Sequence, residues 1–111
     1  MDVPNYSNLN AELMATKIGL KPKHIPMLVG SFVDESHTIL SALKAAIDSM
    51  DFDAIQMQAH SIKGSSGNLK FDELYEISKT MELAAKEKDV TYAYKDVFKV
   101  MTDSIASISL A

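Results

Sequence analysis

Residues 26–50 read PMLVGSFVDESHTILSALKAAIDSM, and this stretch decides the fold. Its apolar side chains recur at three- and four-residue spacing, which places them on one face of an α-helix. A proline is tolerated in the first helical turn, so the helix is predicted to begin near Pro26 and to end near Ser49 or Met50. The apolar face consists of Leu28, Val29, Phe32, Val33, Ile39, Leu40, Leu43, Ile47 and Met50.

Four further helices are predicted on the same grounds. The third helix has the apolar residues Ile55, Ala59, Ile62, Ser66 and Leu69 at helical spacing, and comparable stripes follow in the next two. The predicted boundaries are Asn8 to Ile18 for the first helix, with Gly19 just past its end, Asp51 and Asp72 as N-caps of the third and fourth, and Val90 or Thr91 as the start of the fifth.

The pattern therefore predicts an all-α fold. Four amphipathic helices of about 17–25 residues with short connections favour an antiparallel up-down-up-down four-helix bundle. The short additional N-terminal helix is expected to cover one end of it. Residues 1–111 are expected to form a single domain, with residues 1–6 frayed.

Composition excludes several classes of protein. A net charge of −4 argues against general nucleic-acid binding, and the absence of cysteine rules out disulfides and thiolate metal sites. We find no signal peptide and no apolar run of the roughly 20 residues that a membrane span needs, so a soluble cytoplasmic protein is expected. No metal site is expected, because the three histidines lack ligand spacing. His24 is expected to cap a helix or to be solvated, and His37 to lie on the surface.

Residues 59–69 read AHSIKGSSGNL, and they carry the chemistry. His60 lies off the apolar stripe and should point outward. Gly64 and Gly67 follow it, and no acidic residue occurs between positions 54 and 71. Two interpretations remain open: the glycines form a loop after a helix that ends at Lys63, or the helix continues through them. In the second case His60, Gly64 and Gly67 share one face, which Lys63 flanks.

A continuous helix gives these residues a chemical purpose. A neutral imidazole nitrogen can attack phosphorus and form a covalent phosphohistidine. The attack is in line, so a phosphorylated partner must come very close, and bare backbone at Gly64 would permit this. Lys63 would offset the developing negative charge. A nucleotide-binding P-loop is not supported, because no predicted strand precedes the glycines.

The segment resembles the signature of histidine-containing phosphotransfer (HPt) domains, the helical-bundle modules of multistep phosphorelays. That signature is a His, any residue, an aliphatic, Lys, Gly, a small residue and Ser, which residues 60–66 match. Leu69, Leu74 and Glu82 suit the family pattern, and Phe32 sits where the long preceding helix usually carries a Phe beside the site. The family commonly has Gly where Lys70 stands, so the local turn is expected to carry a conformational cost.

The resemblance implies specific roles. His60 would be phosphorylated, usually at Nε2, Lys63 would neutralise the phosphate, and Gly64 would leave room for the partner. Gln56, one turn before His60, would orient the imidazole. The partner-binding face would consist of His60, Lys63, Gly64 and Gly67.

The chain would then be a covalent phosphocarrier without autonomous kinase activity. His60 would accept a phosphoryl group from a receiver-domain aspartate, or return it, and pass it to another receiver. The partners would be receiver domains of response regulators or of a hybrid histidine kinase. No cofactor is expected, since the Mg²⁺ used in transfer would belong to the receiver, and a monomer is expected.

Two alternatives belong to other classes. The dimerisation domain of a sensor histidine kinase usually has an acidic residue directly after its histidine and a proline nearby, whereas Ser61 follows His60 here. The second alternative is a bundle used only for protein interaction, with His60 unphosphorylated.

Overall fold

The computed structural model describes residues 1–111 and contains five α-helices and one 3₁₀ turn, without strands. Helices α2, α3, α4 and α5 pack in a closed cycle, each against the next and α5 against α2, in a bundle of 42 × 22 × 19 Å. The predicted all-α class and antiparallel up-down arrangement are confirmed. None of the helices combines the length and apolar character that crossing a membrane requires. The helices are α1 (Ala11–Ile18), α2 (Ile25–Asp48), α3 (Phe52–Asn68), α4 (Asp72–Lys86) and α5 (Tyr94–Ala106), and the 3₁₀ turn is Pro22–His24.

Helix α3 agrees closely with the prediction from the sequence. The Asp51 side chain accepts a hydrogen bond from the backbone N–H of Ala54 at 3.2 Å, which confirms the predicted N-cap. The helix then continues through Gly64 and Gly67 to Asn68, so the loop interpretation of this segment is wrong. All five residues of the predicted apolar stripe are buried, namely Ile55, Ala59, Ile62, Ser66 and Leu69. Burial of this stripe holds the opposite face of α3 toward solvent.

The starts of α1 and α4 differ from the prediction. Helix α1 begins at Ala11 instead of Asn8, because Asn10 is the N-cap and accepts from the Leu13 N–H at 3.1 Å. Asn8 has φ 58°, which is incompatible with the helix. Asp72 is the first residue inside α4, and Phe71 holds the cap position without a side-chain cap. Asp72 still favours the helix start, because its charge complements the positive end of the helix dipole.

Helix α5 starts at Tyr94, later than the predicted Val90 or Thr91. A turn held by a side chain lies between α4 and α5. In this turn the Asp89 carboxylate accepts hydrogen bonds from the backbone N–H and the hydroxyl of Thr91 at 2.8 and 2.6 Å. The Tyr94 hydroxyl then donates to the Asp89 carbonyl at 2.8 Å. Helix α5 therefore has only 13 residues. Helix α4 has 15, and both helices are shorter than expected. Helix α2 ends at Asp48, just before the predicted boundary.

Three helix ends use a left-handed residue other than glycine. Met50, Lys70 and Lys88 have φ of 51°, 62° and 54°. This conformation costs a non-glycine residue roughly 1–2 kcal/mol. At Lys70 the turn still closes, since the Phe71 N–H donates to the Ser66 carbonyl at 3.0 Å. The expected cost of Lys70 is therefore present, and it leaves the path from α3 to α4 intact.

The N-terminal segment is held in place, so the prediction that residues 1–6 are frayed is wrong at Tyr6. The Tyr6 ring is buried, and its hydroxyl accepts from the Leu74 N–H at 3.2 Å. Its own N–H donates to the Ser107 hydroxyl at 2.9 Å. These contacts tie the segment to the start of α4 and to the C-terminal end of α5.

Candidate functional site

The outward face of α3 presents His60 to solvent. Its side chain is 66% exposed, whereas Ala59 and Ile62 beside it in sequence are fully buried. The predicted outward orientation of His60 is confirmed. It is a direct consequence of the helical period, because the buried stripe points the opposite side of the helix away from the core.

Glu82 of α4 joins His60 to Lys63. One carboxylate oxygen, Oε2, is hydrogen-bonded to Nδ1 of His60, and the other, Oε1, accepts from Lys63 Nζ at 2.6 Å. The Glu82 side chain is only 16% exposed and that of Lys63 22%. The imidazole is therefore held from one side by a largely buried ion pair.

The charges of this cluster determine which ring nitrogen of His60 carries the proton. Burial of Glu82 would raise its pKa, but the hydrogen bonds from Lys63 and His60 outweigh this effect and hold the pKa of Glu82 below its ordinary value. The hydrogen bond to Glu82 raises the pKa of Lys63 above its ordinary value. An ionised carboxylate can only accept hydrogen bonds, so Nδ1 of His60 carries the proton. In the neutral ring, Nε2 then keeps its lone pair on the far side from Glu82.

The two glycines of α3 have different surroundings. A Cβ atom added at Gly64 would meet nothing within 4 Å, so the backbone one turn after His60 is open. A Cβ at Gly67 would lie 3.0 Å from the ring of Tyr75 of α4. Gly67 therefore accommodates a packed ring, and the bare strip expected over both glycines is open only at Gly64.

The hydrogen-bond partner of the imidazole is Glu82, and not Gln56. Gln56 makes no hydrogen bond to His60 in the structure, which does not support the orienting role expected for it, because Glu82 already holds Nδ1. The sequence pattern, in which Glu82 fits the family, does not reveal this contact. Glu82 lies 22 positions from His60, so only the alignment of α4 with α3 brings the two together.

The other residues singled out in the sequence lie away from this cluster. His24 and His37 are exposed, and His24 makes no capping hydrogen bond at the start of α2. Phe32 is buried, with its ring centroid 5.4 Å from that of Phe71. It also lines a shallow groove with Ser65, on the α2 side of α3. Phe32 thus supports the helix that carries His60 from within the core.

Replacing Glu82 with Gln should change how stability depends on pH. Because the pKa of Glu82 is lowered in the folded state, its ionised form stabilises the fold above the ordinary pKa that it has in the unfolded chain, and this contribution is lost as the pH falls through the lower folded-state pKa. Glu82→Gln should therefore lower the free energy of unfolding by about 1 kcal/mol near neutral pH and by less in acid. Urea unfolding of both proteins from about pH 3 to pH 7 measures the difference.

Glu76→Gln is a matched control, since Glu76 is exposed on the same helix and forms no ion pair. Its stability difference from wild type should stay near zero throughout. A Glu82→Gln difference that is constant across the pH range would contradict the ionic account.

Comparisons with known proteins agree with this geometry. A protein-family model described as Hpt domain matches residues 27–108. No curated protein matches the sequence. Among solved structures, the crystal structure of histidine-containing phosphotransfer protein B (HptB) from Pseudomonas aeruginosa PAO1 superimposes with a TM-score of 0.75 at 26% sequence identity. The match covers 86% of this chain and 82% of that one.

Proposed function

The chain belongs to the Hpt domain family and functions in phosphorelay histidine phosphotransfer, and from this premise we propose that His60 is the residue that carries the phosphoryl group. The observation that carries the proposal is the contact between Nδ1 of His60 and Glu82, which leaves Nε2 as the exposed nucleophile. His24 and His37 lack such a partner.

In the proposed step, the lone pair of Nε2 attacks the phosphorus of an aspartyl phosphate on a receiver domain. The N–P bond forms as the bond from phosphorus to the aspartate oxygen breaks, and the aspartate leaves as a carboxylate. No proton has to move, since Nδ1 keeps its own. The reverse step, with a carboxylate as the attacking group, returns the phosphoryl group to a receiver.

Glu82 acts on this step through the imidazole. With Nδ1 protonated and Nε2 bonded to phosphorus, the ring becomes cationic, and the Glu82 carboxylate stabilises that charge. It also fixes the ring orientation, as a buried carboxylate does for histidines in other nucleophilic sites. Glu82 is thus a positioning residue for His60.

Lys63 and Gly64 act on the incoming group. Lys63 supplies a positive charge beside the ring that offsets the negative charge of the phosphoryl group, and in the free protein Glu82 holds it in place. The open backbone at Gly64 leaves space for the receiver to bring phosphorus into line with Nε2. Transfer geometry demands this space, because misplacement by about 1 Å can cost roughly 100-fold in rate.

Hpt domains are carriers, and they interact with receiver domains in phosphorelays. We extend this to the present chain: it has no kinase activity of its own and needs no cofactor, because the Mg²⁺ of the reaction is bound by the receiver. Its partners are receivers of response regulators or of a hybrid kinase.

Two successive transfers test the proposal. The chain is incubated with ³²P-labelled receiver domains, repurified, and then mixed with a second, unlabelled receiver. A carrier should gain label in the first step and lose it to the second receiver. The label on the chain should be lost in acid and retained in base, as expected of a nitrogen–phosphorus bond. A bundle used only for interaction would bind receivers without acquiring label, and this result would refute the proposal.

A further inference from the structure

Two lysines of α4 lie along the edge of the candidate site. Tyr75 and Glu82 both contact α3, the first over Gly67 and the second at His60. Lys79 lies four positions after Tyr75 and three before Glu82, and Lys86 lies four positions after Glu82. Residues at these separations are neighbours on a helix surface, so all four form one row of α4 beside α3.

The contacts between α3 and α4 also give the positions of these lysines along the bundle axis. The two helices are antiparallel, with His60 level with Glu82 and Gly67 level with Tyr75. Lys79 therefore lies between the levels of His60 and Gly67. Lys86 lies beyond His60 in the other direction, by about one helical turn. The two lysines flank the imidazole along the bundle axis.

The charge of this row is available to a partner. Lys79 and Lys86 are exposed, and neither forms an ion pair. The only carboxylate in the row, that of Glu82, is already paired with Lys63. No acidic residue occurs in α3 from position 54 onward, although the chain as a whole carries a net charge of −4. Within this row the unpaired charges are therefore both positive, while the exposed carboxylate of Glu76 lies outside the row, three positions before Lys79.

We propose that Lys79 and Lys86 bind acidic side chains around the phosphorylated aspartate of the receiver domain, and so favour receivers with an acidic surface there. This inference rests on the proposed function of His60. Opposite charges at the rim of an interface act mainly on the rate of encounter and on partner choice. The two lysines lie on either side of His60, so they hold the partner in register with Nε2.

Charge reversal tests the inference. The double variant Lys79→Glu/Lys86→Glu is compared with Lys17→Glu/Lys95→Glu, in which two exposed, unpaired lysines of α1 and α5 are reversed. Both change the net charge from −4 to −8, since each Lys→Glu substitution contributes −2. The probe is whichever ³²P-labelled receiver transfers fastest to the wild-type chain, and the initial transfer rate is measured in low salt and in about 0.5 M salt.

We expect the α4 double variant to transfer about tenfold more slowly than wild type in low salt and to approach the wild-type rate in high salt. The control should differ from wild type by less than about twofold. Equal rates of the two double variants in low salt would overturn this inference while leaving His60 as the phosphate acceptor. If no receiver transfers to the wild-type chain, the proposed function fails, and this inference fails with it.

Discussion

His60→Gln is expected to abolish labelling of the chain by phosphorylated receivers. The substitution removes the only imidazole that is hydrogen-bonded to a carboxylate through Nδ1, and with it the free Nε2 on an exposed side chain. The fold should survive, because the His60 side chain is 66% exposed and Lys63 keeps its bond to Glu82. The loss of one hydrogen bond should change stability by about 1 kcal/mol at most. Transfer of ³²P and a thermal melt measure the two effects.

The chain offers matched controls for this variant. His24→Gln and His37→Gln remove exposed histidines that contact no carboxylate, and both should label like wild type. Label that persists in His60→Gln, or that is lost in either control, would assign the phosphoryl group to another residue.

Gly64→Gln should melt no lower than wild type and yet transfer phosphate about 100-fold more slowly. Gly64 lies within α3 with open space around it, so a better helix former should be tolerated, and Gly64→Ala should gain up to about 1 kcal/mol. A long side chain one turn from His60 would, however, occupy the space through which the receiver approaches. Stability and function should therefore change in opposite directions. Thermal melts and single-turnover transfer rates measure both.

Gly30 provides the control, because it also lies inside a helix, α2, with nothing within 4 Å of an added Cβ. Gly30→Gln and Gly30→Ala should change stability as the Gly64 variants do, without slowing transfer. Equal transfer rates for Gly64→Gln and Gly30→Gln would show that open backbone at position 64 is unnecessary.

The sequence alone was sufficient for most of α3 and for the place of His60 on it. The Asp51 cap and the buried stripe from Ile55 to Leu69 each depend on residues that are close together in the sequence. Together they orient His60 outward. The resemblance to the family, which commonly has Gly at this position, indicated that Lys70 carries a conformational cost, and its φ of 62° agrees with this. Cap, helical period and turn residue act over one or two turns of chain, so a sequence displays them directly.

Features that depend on packing between helices were not visible in the sequence. The loop interpretation of residues 64–68 could be rejected only in the structure, because glycine is compatible with either conformation and burial of Ser66 and Leu69 decides between them. The late start of α5 has a local cause instead, namely hydrogen bonds of Asp89 and Tyr94 that compete with the helix. Local propensity gives way where such contacts are available.

The arrangement around the imidazole was decided by tertiary structure alone. Glu82 reaches His60 and Lys63, and Tyr75 covers Gly67, only because α3 and α4 pack antiparallel in one particular register. A shift of one residue along α4 would rotate Glu82 by about 100° away from the imidazole. The sequence by itself determined that the His60 imidazole faces solvent, since this follows from the helical period. Which nitrogen of that imidazole is free was decided by a carboxylate on a neighbouring helix, whose position depends on how the whole core packs.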